Sequence, residues 1–299
     1  MAFLLLTSFI WAFSFGLVKN YLGGVDAGFV ACARLALALL LFLPLLRPRR
    51  VPRVVSLRLL AIGAVQFGLM YVFYIQSFRF LAAHQVALFT IFTPLLVAAA
   101  DDMLEKRFRP RLFSTALLAV AGTAVIVYSG MGMGGLLAGF ALVQASNACF
   151  AVGQIWYRRL AKPERGWRDR DAFAWLYLGG TVAAAGSMFV FTGAQLPRLS
   201  REQALVLLYL GFLASGVGFF LWNVGATRVS SGVLAVFNNV KIPLAVVVSL
   251  VVFHERTDLL RLAIGGSAML LALFLNSRKK SDKILSVSVS ASDSGSNSK

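Results

Sequence analysis

Residues 78–100 read FRFLAAHQVALFTIFTPLLVAAA, and residues 227–249 read TRVSSGVLAVFNNVKIPLAVVVS. At an offset of 149 residues Arg79 falls on Arg228, Pro94 on Pro243 and Val97 on Val246. An acidic residue follows each stretch, Glu105 in one half and Glu255 in the other, one residue out of register. Each stretch is thus an apolar run with an arginine before it, a proline at the same depth and a glutamate after it. That is the signature of one membrane-spanning element present twice.

Crossing the hydrocarbon core takes about 20 mostly apolar residues. Runs of that kind cover approximately 3–18, 28–46, 57–78, 84–103, 111–130, 136–157, 173–192, 203–223, 231–253 and 259–276. The expected fold is therefore an all-α polytopic membrane protein with ten transmembrane helices. Two five-helix repeats span 1–130 and 131–276, and a tail, basic and then Ser-rich, spans 277–299. Five is odd, so the repeats must cross in opposite directions. Inverted repeats recur in secondary transporters, with the substrate near the midplane where the halves meet.

Composition excludes the soluble classes. Of 299 residues, 59% are hydrophobic and 14% charged, whereas a soluble domain carries about 25% charged; the mean hydropathy is +0.79. A net charge of +17 would suit nucleic acid on a soluble basic face. Here the basic residues sit in short clusters between apolar runs, as in cytoplasmic loops, so nucleic acid is not an expected partner. With the N-terminus inside, inner connections hold 20 Lys and Arg and outer ones 6, which predicts both termini in the cytoplasm. The run 3–18 lacks a basic n-region and a cleavage site, and reads as a first span instead of a secretory signal. In the tail, SRKKSDK (277–283) suits anionic headgroups, and the Ser-rich remainder is expected to be disordered.

No cofactor or metal is expected. Cys32 and Cys149 have no paired spacing. SGMGMGG (129–135) lacks the GK[ST] of a phosphate loop, and no HExxH occurs. No Asp or Glu lies mid-span, so a carboxylate proton relay is not evident. The polar residues that do lie within spans are the site candidates, because each is expensive in lipid. Lys241 is foremost, with Asn238 one turn away; together they are expected to hold a substrate carboxylate. Gln144, Asn147 and Gln154 share one face of the sixth span, and Thr7, Trp11 and Ser14 one face of the first. The third span offers Gln66, Tyr71, Tyr74 and Gln76, and the eighth Trp222 and Asn223. Thr90 and Thr93 precede Pro94 in the fourth. Pro94 and Pro243 each remove a helix hydrogen bond and are the expected hinges. Arg34 is expected to snorkel to the outer surface, and His84 and His254 to lie at the interface.

The short first helix with Trp11 and Phe15, the CARLALALLLFLPLL helix (32–46) with its early Arg34, and two A-x-F…P…E stretches (Ala87, Phe89, Pro94, Glu105; Ala235, Phe237, Pro243, Glu255) accompany the five-plus-five repeat. In these the chain resembles the EamA-type branch of the drug/metabolite transporter superfamily over residues 3–276. The resemblance implies a secondary transporter, not an enzyme, that exports amino acids, their derivatives or other small metabolites by alternating access. It also implies a bacterial inner-membrane location, with a small-molecule substrate and the bilayer as partners. A homodimer is left open. Two other classes compete: a passive channel, and a membrane enzyme acting on lipid-linked substrates through DDMLEK (101–106).

Overall fold

The computed structural model describes residues 1–104, 133–161, 166–193, 196–229 and 231–255, together with 260, 263, 264 and 267. The chain divides into two compact units, Met1–Arg107 with Met131–Arg256, and Phe108–Gly130 with Thr257–Lys299. Everything below belongs to the first unit. The expected span 111–130, most of 259–276, Glu105 and the tail lie outside the described residues.

Eight helices follow one another: α1 (Ala2–Leu22), α2 (Ala27–Phe42), α3 (Arg53–Ser77), α4 (Ala83–Met103), α5 (Met133–Leu160), α6 (Asp169–Thr192), α7 (Arg201–Thr227) and α8 (Ser231–Val251). No strand occurs among the described residues. Seven of these helices contain segments long and apolar enough to cross a membrane, and α8 adds the apolar stretch Phe237–Val251. Each coincides with an expected span. The reason is general: in lipid every backbone N–H and C=O must be satisfied inside the segment. The helices also expose apolar side chains outward, among them Leu6, Phe9, Leu40, Val182, Phe189, Val190, Leu205 and Val247. A surface of this kind suits lipid and not water.

Local chemistry sets the ends. Asp26 accepts from the Phe29 N–H at 2.8 Å and starts α2. Ser200 and Gln203 form a reciprocal capping box at the start of α7. Gly193, at φ 66°, closes α6 in the left-handed region.

Four helices interlock closely. α6 packs along both α2 and α3, and α7 packs on α2. At the α3–α6 crossing the fit is backbone to backbone. A Cβ on Gly63 would be driven into the Leu176 carbonyl, and one on Gly179 into the Leu60 carbonyl. Small residues are what let helices approach this closely in a bilayer. Aromatic side chains fill the space above, with Phe67 stacked on Tyr177 at 5.2 Å and Phe42 against Phe173 at 5.7 Å.

Three helices are irregular. α3 carries a π-helical turn over Ala64–Leu69 and α7 another over Tyr209–Val217. α4 passes through a 3₁₀ turn over Thr90–Phe92, directly before Pro94. By contrast α8 runs through Pro243 as one helix. Irregular backbone at membrane depth persists only where protein re-satisfies it, and those partners build the candidate site.

Candidate functional site

The irregular turns explain the polar contacts around the centre. In α7 carbonyls of the π turn accept from side chains of other helices. The Trp11 indole donates to the Ala214 carbonyl at 2.8 Å. The Tyr177 hydroxyl lies 2.9 and 2.7 Å from the Ser215 and Gly216 carbonyls. In α4 the Thr90 carbonyl, which cannot accept from Pro94, accepts from the Thr93 N–H in the 3₁₀ turn and from the Thr93 hydroxyl at 2.6 Å. Thr90 does the same for Ala87 at 2.7 Å. The Phe89 carbonyl is taken by Asn147 at 3.1 Å and Gln144 at 3.2 Å, both from α5. Asn147 also donates to Gln144 Oε1 at 3.2 Å.

Seven of these helices line one shared cavity. α1 contributes Trp11, Ser14 and Phe15; α2 contributes Arg34; α3 contributes Met70, Tyr71 and Tyr74. The remaining wall is Thr90 and Thr93 from α4, Ser146, Asn147 and Phe150 from α5, Phe219 from α7 and Lys241 from α8. Among the described residues that line it there is no Asp or Glu, and there are two cations, Arg34 and Lys241.

Lys241 is buried among rings. Its ammonium lies 5.0 Å from the Trp11 ring centroid, 5.4 Å from Phe150 and 5.5 Å from Trp222. Cation–π attraction of this kind offsets part of the cost of burial. Among the described residues no carboxylate pairs with it. Arg34 corrects its sequence reading, for it does not snorkel to the surface. It is 1% exposed, and donates from Nε to the Ser215 hydroxyl at 3.2 Å and from Nη2 to the Tyr71 hydroxyl at 2.7 Å.

Of the residues expected at the site, Lys241, Trp11, Ser14, Tyr71, Tyr74, Thr90, Thr93 and Asn147 border one cavity, while Trp222, Gln144, Asn223 and Asn238, like Thr7, Gln66, Gln76 and Gln154, are not among its lining residues. Trp222 stacks behind Trp11 at 5.0 Å without reaching the cavity. Gln144 serves Asn147 and the α4 backbone. Asn223 accepts from Gln66 Nε2 at 3.1 Å. Asn238 is fully buried, and neither of its side-chain polar atoms has a hydrogen-bond partner among the described residues. The Trp11 N–H is spent on Ala214, which leaves its ring face for the cavity. Arg34 was within reach of sequence reasoning, because a cation inside a span carries the same cost as Lys241. Phe150 and Phe219 gave no signal among 25 phenylalanines.

His84, the second residue of α4, is buried. Its Nδ1 lies 2.7 Å from the Glu255 carboxylate, which follows α8. That carboxylate also accepts from the Ala83 and His84 N–H groups at 2.8 and 3.0 Å and from the Ser249 hydroxyl. Burial alone would raise the Glu255 pKa. The bonds from His84, Ser249 and the two amides outweigh it and hold the group at about 2. An anion at a helix N-terminus also meets the positive end of the helix dipole. At the opposite end, Asp101 pairs with Arg159 at 2.8 Å.

The EamA-like transporter family model matches residues 1–128 and 132–278. The chain belongs to that family. This EamA-like transporter is 41% identical over 279 residues to the "Probable biotin transporter" of Pseudomonas aeruginosa, covering 92% of this chain and 97% of that one. It is 37% identical over 279 residues to the "Biotin transporter" of Salmonella typhimurium and to that of Escherichia coli, covering 92% of each chain. One solved crystal structure aligns with the EamA-like chain at a TM-score of 0.65, covering 93% of this chain and 97% of that one, at 19% identity; the likeness is one of fold.

Proposed function

We propose that this chain is a secondary transporter that carries a biotin-like monocarboxylic acid across the bacterial inner membrane by alternating access. The substrate sits in the central cavity with its carboxylate at Lys241. One observation carries the reading: among the described residues, an aromatic cavity presents two buried cations and no acid. The amino-acid class implied by the family resemblance fits less well, since an α-ammonium would find no carboxylate there. A monoanion without a cationic group suits the same walls, and the relatives are named for biotin. Those names specify no direction, and alternating access runs either way down the prevailing gradient.

The inverted five-plus-five arrangement belongs to the same proposal. It is supported by the π turns at corresponding depths of α3 and α7. It is supported again by the glycines flanking them: Gly63 and Gly68 back onto α6, while Gly211 and Gly216 back onto α2. Pro94 and Pro243 are the proposed hinges, and inward- and outward-open structures with α4 and α8 straight at both would remove them. Both termini are proposed to be cytoplasmic. With Cys32 and Cys149 replaced by serine, an impermeant thiol reagent should label a cysteine at Gly24 from outside and one at Arg49 only from inside.

The substrate test is uptake into proteoliposomes. Labelled biotin should enter with saturating kinetics, and unlabelled biotin inside should accelerate entry. Flux that never saturates and shows no such acceleration favours the channel reading. Transport of amino acids with none of biotin sinks the substrate assignment.

A further inference from the structure

The two cations of the cavity are not equivalent, and their hydrogen bonds distinguish what each has left to offer. Ser215 Oγ gives its proton to the Leu210 carbonyl at 2.7 Å. It therefore accepts from Tyr71, whose hydroxyl lies 2.9 Å away. The joined Ser215 and Tyr71 oxygens receive Arg34 Nε and Nη2. They occupy that edge of the guanidinium as the two oxygens of a carboxylate would, and a bidentate acid would have to displace them. Nη1 remains. It is buried, has no hydrogen-bond partner among the described residues, and belongs to a side chain that lines the cavity. A buried donor left unmade is costly, so a ligand oxygen there gains more than it would on an exposed arginine. Lys241 differs in having no hydroxyl or acid partner among the described residues, only rings.

Resting on the carboxylate-at-Lys241 reading above, we infer that Arg34 is a second substrate-contacting residue. Its Nη1 donates to a neutral carbonyl oxygen, of the urea or amide kind, at the end of the substrate away from the acid. The cavity thereby selects molecules that carry one carboxylate and one neutral carbonyl acceptor, separated by an apolar segment that lies against the aromatic wall.

Three probes separate the two ends. Biotin has both groups, biotinol keeps the urea and lacks the acid, and lipoate keeps the five-carbon acid chain and lacks the urea. Competition binding on the purified full-length protein compares wild type, Arg34→Gln and Lys241→Ala. Arg34→Gln should weaken biotin and biotinol by about tenfold each and leave lipoate within twofold. Lys241→Ala should weaken biotin and lipoate and spare biotinol. If Arg34→Gln penalises lipoate as much as biotin, Arg34 serves the acid or the fold, and the inference fails while the Lys241 reading stands. If Lys241→Ala penalises biotinol as much as biotin, it is the Lys241 reading that fails. Wild type that binds no biotin removes both. Should Arg34→Gln not fold, Arg34→Lys replaces it. A lysine cannot hold the hydroxyl pair and the ligand together, so the same loss of biotin and biotinol with lipoate spared is expected, and its absence overturns the assignment.

Discussion

Lys241→Ala should cut transport of a carboxylate substrate at least severalfold at concentrations near half-saturation of wild type, while the protein stays folded and inserted. A lysine at the centre of a span costs about 2.5–3.5 kcal/mol on insertion scales, partly offset here by three aromatic faces. Removing it relieves that cost, so thermal stability should hold or rise. The substrate, however, loses a charge-assisted hydrogen bond worth about 1.5–3 kcal/mol, and binding should weaken by roughly 10- to 100-fold. Lys241→Met, which keeps the bulk, should behave alike and so separates charge from packing. Lys241→Arg keeps the charge on a longer, planar group and should recover only part of the activity. Uptake assays together with melting curves decide the matter. Wild-type transport by the alanine variant would reduce Lys241 to lining for water.

The other large effect is structural. Gly63→Leu should leave little folded protein in the membrane, because its side chain has to enter space held by the Leu176 backbone. Overpacking against a flexible side chain is partly absorbed by a rotamer change, but a helix backbone cannot give way so cheaply. A loss of about 3 kcal/mol is expected. Gly186→Leu supplies the contrast, since nothing lies within 4 Å of a Cβ there. Size-exclusion profiles of the two variants measure the difference. Equal yields and equal melting temperatures would mean that α3 and α6 do not pack as described.

The spans were legible because lipid leaves the backbone little choice. The run 203–223 became α7 (Arg201–Thr227), and 28–46 became α2 with its short 3₁₀ continuation to Leu45. The cavity was only half legible, for a physical reason. Helical spacing groups Gln144 with Asn147 on one face, yet it cannot say which of them meets open space and which meets the carbonyl of another helix. Asn238 and Lys241 are one turn apart, and only Lys241 borders the cavity. Arg34 was misplaced because its depth in the span was read against water, when the competing partners were hydroxyls on α3 and α7. The π turns left no pattern in hydropathy at all. They follow from where glycines let neighbouring backbones touch, which is a property of pairs of helices.

That touching also bears on motion. Reciprocal glycine contacts fasten α3 to α6, and Gly211 and Gly216 set α7 against Leu37, Ala38 and Leu41 of α2, which itself packs along α6. Sliding any of these four by one residue would drive a Cβ into a neighbour, so such a slide is costly. Lys241 stands on α8, while Arg34, Tyr71 and Ser215 stand on α2, α3 and α7. A molecule held between the two cations therefore bridges α8 and this packed group, and its length sets the separation at which both contacts form.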